Sequence, residues 1–412
     1  MQPISSPLLA LPLRTALAPP RLAALAGALL LYGLFSAPAP PGIGTAELAI
    51  ALAGLFAVGL SRPILFACGQ RLTAPDRQEA LGALALVLLL WPPLLVGALR
   101  GWDPADILRD VVPLGFLFLP LLLRDTLDRA PDRMLDLLAH ALAAAGVAFA
   151  LRWWVESGGS IRGIGRAAHG DGDLYLLNSA SVTFATVWLV VKGAPLLATG
   201  ARNTALGAVA LAGAFVCLGA MTAAVNRGAL LLTGTALLIG GLRWAASRPG
   251  RLLAVAGALG AAVLLWGSSM DGAVMLLLAK TDSVGVNMRG EEFGAVLRQV
   301  TSSPLGPLLG EGWGALLVNP AVGGWQVSYV HSAAGYVLLK AGALGVCALL
   351  LYLGALAPTL RRAAALRPDL ALACLPPLAS GLLVHTSYKY LCFGVCLSLL
   401  VMAGRRGMQP SG

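Results

Sequence analysis

The chain has 412 residues, of which 58% are hydrophobic and only 12% charged, with a net charge of +10 and a mean hydropathy of +0.81. A soluble domain carries about 25% charged residues, so this composition cannot solvate a water-facing surface of such size; it is that of a polytopic, all-α membrane protein. A β-barrel is excluded, because barrel strands alternate polar and apolar residues whereas Ala80–Leu90 and Ala341–Leu356 are apolar on every face. The positive charge is therefore read first as topology, and nucleic acid is not an expected partner.

In chain order, hydropathy places spans over 22–38, 46–68, 79–99, 107–123, 134–155, 175–191, 204–223, 228–246, 251–269, 329–356, 368–386 and 390–404. This predicts about twelve helices in one transmembrane domain covering 1–412. The first ends in a signal-peptide-like Ala37-Pro38-Ala39, but Pro40 and Pro41 follow at once and eleven further spans come after, so it is read as an uncleaved helix. With the N-terminus cytoplasmic, seventeen of the 29 Lys and Arg residues fall in inner connections and ten on the outer side, while Arg62 and Lys340 lie inside spans. Both termini are then cytoplasmic. Topology gives no reason to keep the ten outer cations, which makes them candidates for ligand chemistry. The six cysteines all sit in apolar runs without a C-x-x-C pair and read as small buried hydrophobes.

The one long connection, 270–328, lies on the outer side between spans nine and ten. Phe293, Val296, Leu297 and Val300 recur there at i, i+3, i+4 and i+7, with Glu291, Glu292, Arg298 and Gln299 around them, which predicts an amphipathic helix at the membrane surface. Met275–Ala279 is a second, shorter candidate. The segment then turns glycine- and proline-rich at Ser303–Pro307 and Gly310–Gly314, where glycine permits close backbone approach. No internal repeat is evident, which weakens an inverted-repeat transporter.

Arg227 opens span eight after Asn226, at the outer boundary; it either binds phosphate or snorkels to the interface. Arg289 precedes the amphipathic helix and is either a ligand group or a solvated loop charge. His331 begins span ten after Tyr329. Two arginines and a histidine at one membrane level suit phosphate binding by a planar fork and proton transfer near neutrality. Lys340, about 13 Å further along the helix, is an accessory candidate or a lysine paired inside the bundle. His385 and Lys389 in the last outer turn either add to the site or anchor the interface. His140 reads as a structural histidine and His169 as a loop residue. Asp171-Gly172-Asp173 in the outer loop 156–174 has a D-x-D spacing, but two carboxylates are few ligands for a metal, so no metal or other cofactor is expected. Arg162 and Arg166 in the same loop add positive charge on the outer side.

These features together resemble the O-antigen ligase and polymerase superfamily of bacterial envelope glycosyltransferases. Arg227-Gly228-Ala229 resembles its arginine-glycine-small motif, Arg289 its early large-loop arginine, and Pro307–Gly314 its proline- and glycine-rich turn. His331–Tyr336 running into Gly342–Gly345 resembles its histidine and glycine pair, and Arg166 and Asn178 its outer-loop arginine and asparagine. Asn226 and Ser332 depart from the commoner serine and asparagine at those places. The resemblance covers roughly 160–350 and implies a GT-C-like membrane enzyme in the bacterial inner membrane, its site facing the periplasm. Its implied activity is transfer of a glycan from undecaprenyl diphosphate to a sugar hydroxyl of lipid A–core. The compact, glycine-rich single loop favours ligase over polymerase. In this reading Arg227 and Arg289, with Arg162 and Arg166, hold the donor diphosphate in place of a metal, and His331 acts as base toward the acceptor; Tyr329, Lys340, His385 and Lys389 are accessory candidates. The alternative from another class is a transporter or flippase for lipid-linked glycan.

Overall fold

The computed structural model describes residues 18–38, 44–157, 174–197, 200–224, 226–246 and 288–406. Helices dominate these residues: α1 (Ala18–Phe35), α2 (Thr45–Val58), α3 (Ser61–Ala67), α4 (Arg77–Leu99), α5 (Pro104–Leu117), α6 (Asp132–Glu156), α7 (Ala180–Leu196), α8 (Ala201–Ala223), α9 (Arg227–Ala246), α10 (Met288–Val300), α11 (Ala333–Leu366), α12 (Pro368–Ala379) and α13 (Leu391–Arg406), joined by short helical turns. The only sheet among the described residues is an antiparallel hairpin of β1 (Leu317–Asn319) and β2 (Trp325–Val327), in which Asn319 stands opposite Trp325.

Eleven of the predicted spans fall on these helices; 251–269 and Met275–Ala279 lie outside the described residues. Among the described residues four helices (α4, α6, α8 and α11) are long and apolar enough to cross a membrane singly, or five if α2 and α3 count as one broken span. Of the twelve expected spans, one lies outside these residues and backbone breaks divide or shorten several of the others. Gly59, with φ +85°, bends α2 against α3 by 77°. The 107–123 run is interrupted at Phe118. α12 carries Pro376 and Pro377 and loosens into a π turn at Ser380–Val384; a proline removes one rung of the ladder and crowds the preceding turn.

The core lies along α7 and α13. Every residue from Leu391 to Gly404 is buried, as is Ala180–Trp188 of α7, in keeping with helices that are apolar all round. α7 packs on α6, α8 and α12, and α11 on α4 and α13. Four cysteines (Cys217, Cys374, Cys392, Cys396) are buried as expected, whereas Cys68 and Cys347 are exposed.

At one end of the bundle several of the basic residues counted as topology signals, and Arg62, meet carboxylates. Arg124 reaches Asp76 and Glu79 at 2.6 Å each. Arg405, near the end of α13, holds Asp128 at 3.1 Å and Asp76 at 3.4 Å. Arg62, buried just past the Gly59 bend, pairs with Glu79 at 3.4 Å and with Asp125. Lys192 meets Asp369 at 2.6 Å, and Arg367 meets Asp136 at 3.1 Å. Much of this charge is thus neutralised locally. In a cysteine-free background, Val318→Cys and Leu366→Cys, both on exposed positions at opposite ends of this arrangement, are expected to react with a membrane-impermeant thiol reagent from opposite sides. Labelling of both from outside intact cells would overturn the orientation expected from the basic residues.

Candidate functional site

The glycine turn is a plug between a helix with an unpaired carbonyl and a kinked one. In α4, Pro93 offers no N–H to the carbonyl of Leu89; the Trp313 indole donates to that oxygen at 2.9 Å, and the Trp313 amide donates to the Pro93 carbonyl at 3.0 Å. In α11, Gly342 takes φ +61° and kinks the helix. The carbonyls of Leu339 and Lys340 then accept from the amides of Glu311 at 2.8 Å and Gly312 at 2.9 Å. A Cβ at Gly310 would stand 2.5 Å from the Ala341 nitrogen, and one at Gly312 would stand 2.2 Å from the Gly97 nitrogen. Both positions also have positive φ, so glycine is required on two grounds.

Behind this turn lies a buried polar knot. Asp110 of α5, 2% exposed, accepts from the Gly314 amide at 2.9 Å, Ser328 at 2.8 Å, the Tyr336 hydroxyl at 2.6 Å and the Lys340 ammonium at 2.5 Å. Lys340 also donates to Ser328 at 3.1 Å and to the Ala315 carbonyl. Of the two readings of Lys340, pairing inside the bundle is therefore what the geometry supplies. The knot ties α5, the glycine turn and α11 to Ser328, three residues before His331.

His331 stands at the mouth of α11, one residue ahead of the Ser332 cap. Its amide donates to Glu292 at 3.0 Å, and its Nδ1 lies 2.9 Å from the same carboxylate. Asn319 donates to Glu292 at 2.6 Å and to the Tyr329 carbonyl at 2.8 Å, while its own oxygen accepts from the Ala321 amide. Burial works to raise the Glu292 carboxyl, but the donors from His331 and Asn319 outweigh it and hold the group below the usual carboxylate range. An ionised Glu292 can only accept, so Nδ1 carries the hydrogen and a neutral ring presents Nε2 as its basic nitrogen. The Tyr329 ring meets His331 edge-on, with centroids 4.9 Å apart.

Here the sequence-based face of α10 needs correction. Val296 and Val300 are buried as expected, but the third buried position is Glu292, while Phe293 and Leu297 are 44% and 41% exposed. The inward stripe is 292, 296 and 300, at i, i+4 and i+8, because α10 packs against β1, the turn after it and α11, which supply partners for a carboxylate. Treating Glu292 as a flanking solvated charge missed it. That same four-residue spacing with two valines was the available signal.

The remaining candidates approach one turn, 384–389. Arg289, exposed at the start of α10, donates to the Val384 carbonyl at 3.4 Å. Arg227 is the first residue of α9, and a Cβ on the adjacent Gly228 would stand 2.8 Å from the Val384 side chain. His385 follows Val384 directly in this turn. His385 also lines a polar cavity with Asn178, Asn226, Ser380 and Ser387. Lys389 lies with its ammonium 3.5 Å from the Tyr336 ring centroid. Arg162, Arg166, His169, Asp171 and Asp173 lie outside the described residues. His140 is exposed on α6, its Nδ1 2.6 Å from the Asp136 carbonyl, and takes no part in the cluster. A second cavity at the opposite end is lined by Glu79, Arg124, Asp128 and Arg405, whose charges already offset one another.

The arrangement sets a carboxylate-oriented imidazole at the same end of a helical bundle as the Arg289 guanidinium and the start of α9 at Arg227, which suits deprotonation of a hydroxyl beside a bound anion. Among the described residues no three His, Cys, Asp or Glu side chains are grouped so as to hold a metal ion. No protein-family model matches the chain, and no curated protein is significantly similar to it, so the functional reading rests on this geometry and on the motifs.

Proposed function

We propose that the chain is an inverting, metal-independent glycosyltransferase of the O-antigen ligase kind, a twelve-span protein of the bacterial inner membrane working on the periplasmic side. The donor is a glycan on undecaprenyl diphosphate and the acceptor a sugar hydroxyl of lipid A–core. The observation that carries the reading is the Glu292–His331 pair beside Arg289. Glu292 holds the imidazole by Nδ1, Nε2 takes the proton of the attacking hydroxyl, and the anomeric carbon is inverted as the diphosphate leaves. Negative charge grows on the departing oxygen, where Arg227 and Arg289 offset it without a metal. Lipid-linked glycan and lipid A–core are the partners this chemistry requires.

The test is transfer by purified protein supplied with lipid-linked glycan and lipid A–core, with lipid-linked glycan alone as the polymerase control. Ligation in excess EDTA is expected. Loss of activity restored by magnesium or manganese would move the donor site to Asp171 and Asp173. Glycan joined only to glycan would make the enzyme a polymerase, and movement of lipid-linked glycan across liposomes with no joining would make it a transporter.

Glu292→Gln keeps the shape but replaces an acceptor-only group by an amide that can present its N–H₂ to Nδ1. Transfer is expected to fall by about 10-fold or more, as a charge-assisted hydrogen bond worth roughly 1.5–3 kcal/mol is lost, with donor affinity unchanged. Equal turnover in Glu292→Gln and wild type would detach the carboxylate from the mechanism.

A further inference from the structure

Lys389 closes the 3₁₀ turn Ser387–Lys389 between the π turn after α12 and the start of α13, five residues past the Val384 carbonyl that receives Arg289. The residue is half-buried, its ammonium stands over the Tyr336 ring, 3.5 Å from the centroid, and the carboxylate of Asp110 is paired with Lys340 rather than with it. The acidic group whose field it feels is Asp110, and Asp110 is already saturated. Its two oxygens accept from Gly314, Ser328, Tyr336 and Lys340, which uses the roughly four lone-pair sites of a carboxylate.

Two ammonium groups, Lys340 and Lys389, thus share one carboxylate and leave one positive charge uncompensated. The other charged neighbour, Arg109, adds a further cation, itself paired with Asp106 at 2.7 Å; the phenols facing this group, Tyr336 and Tyr388, are neutral. Burial, followed by repulsion from Lys340 and Arg109 against the pull of Asp110, brings Lys389 down to about 7. An ammonium held in this way gains from any anion that reaches it. The turn it occupies is the one that Arg289 and His385 share, and its Tyr336 platform lies five residues, or about 7–8 Å of helical rise, from His331.

Resting on the transferase reading above, we propose that Lys389 is an anion-binding residue of the donor site, contacting a phosphoryl group of the lipid-linked diphosphate. A compact ammonium suits a single phosphoryl oxygen as a point charge, while the guanidinium of Arg289 supplies the fork.

The experiment measures binding without transfer. Protein in neutral-lipid nanodiscs is titrated with undecaprenyl diphosphate; a parallel set carries phosphatidylglycerol instead, and melting temperatures are recorded for every variant. Lys389→Met is expected to weaken undecaprenyl diphosphate binding by about 10–100-fold, with phosphatidylglycerol binding and melting unchanged. Lys389→Arg keeps the charge and is expected to stay near wild type. Above pH 7 the wild-type ammonium loses its proton and affinity should fall relative to Lys389→Arg, whose guanidinium stays charged; below pH 7 the two should converge. Unchanged affinity in Lys389→Met, or an equal loss toward phosphatidylglycerol, would overturn the assignment. Binding lost in both variants together with a drop in melting would also overturn it, by making Lys389 a structural residue. Because no acceptor is present, failure of wild-type protein to ligate leaves this measurement standing and tells against the transferase reading alone.

Discussion

His331→Ala is expected to lower the rate of glycan transfer by about 10²–10⁴-fold, the usual span for a general base, while leaving the affinity for undecaprenyl diphosphate nearly intact. The residue touches Glu292 through its ring and its amide, and only the ring bond is lost on truncation. The helix it precedes is capped by Ser332, which accepts from Gly335 at 3.1 Å, so folding should survive. Arg289→Ala and Arg227→Ala are expected to behave differently: each should weaken donor binding as well as turnover, and lysine should rescue poorly because a point charge does not reproduce the planar fork. The comparison needs transfer rates and donor titrations on the same preparations. Wild-type turnover in His331→Ala would remove the imidazole from the mechanism. Unchanged donor affinity in both arginine variants would leave the diphosphate to other groups.

Breaking the Asp110–Lys340 pair is expected to have the largest effect on stability. Both side chains are 0–1% exposed and 2.5 Å apart, so Asp110→Asn or Lys340→Met alone strands a buried charge, at a cost of about 3–5 kcal/mol. The melting temperature in detergent should drop in each single variant. The double variant Asp110→Asn/Lys340→Met removes both charges and should recover much of that loss. It does not restore the bonds that Lys340 makes to Ser328 and the Ala315 carbonyl, so the segment leading to His331 loses part of its anchor, and transfer should stay below wild type even where melting recovers. A double variant as unstable as either single one would mean that the hydrogen bonds, rather than charge balance, hold this knot together.

Much of the molecule is legible without coordinates because it follows from composition and local geometry. Twenty apolar residues in a row have few alternatives to a helix in a membrane, and eleven of the hydropathy segments coincide with helices for that reason. The turn at Gly310–Gly314, the start of α9 at Arg227 and the start of α11 just after His331 are likewise local: glycine spacing, a break after Asn226 and a serine cap are visible in single windows of sequence. Lys340 was legible only as a choice between a site residue and a paired one, because its partner is 230 positions away in the chain.

What tertiary structure alone decided is the set of partners. Asp110 drew no notice in an apolar run, and its role arises only where the Gly342 kink and the Pro93 break let the glycine turn reach between α4 and α11. Glu292 was placed on the wet side of an amphipathic helix because a hydrophobic pattern weighs residue types and cannot register that Asn319 and His331, 27 and 39 residues later, provide the donors that make burying a carboxylate tolerable. Apolar runs and unbroken helices differ for a related reason: hydropathy sums apolar residues across a bend, but a backbone turned by 77° at Gly59 no longer runs as one rod. Sequence determined that this chain is helical and apolar, since each depends on residues close together. Which carboxylate orients which imidazole depended on groups far apart in the chain meeting within 3 Å, and only the packed fold brings them there.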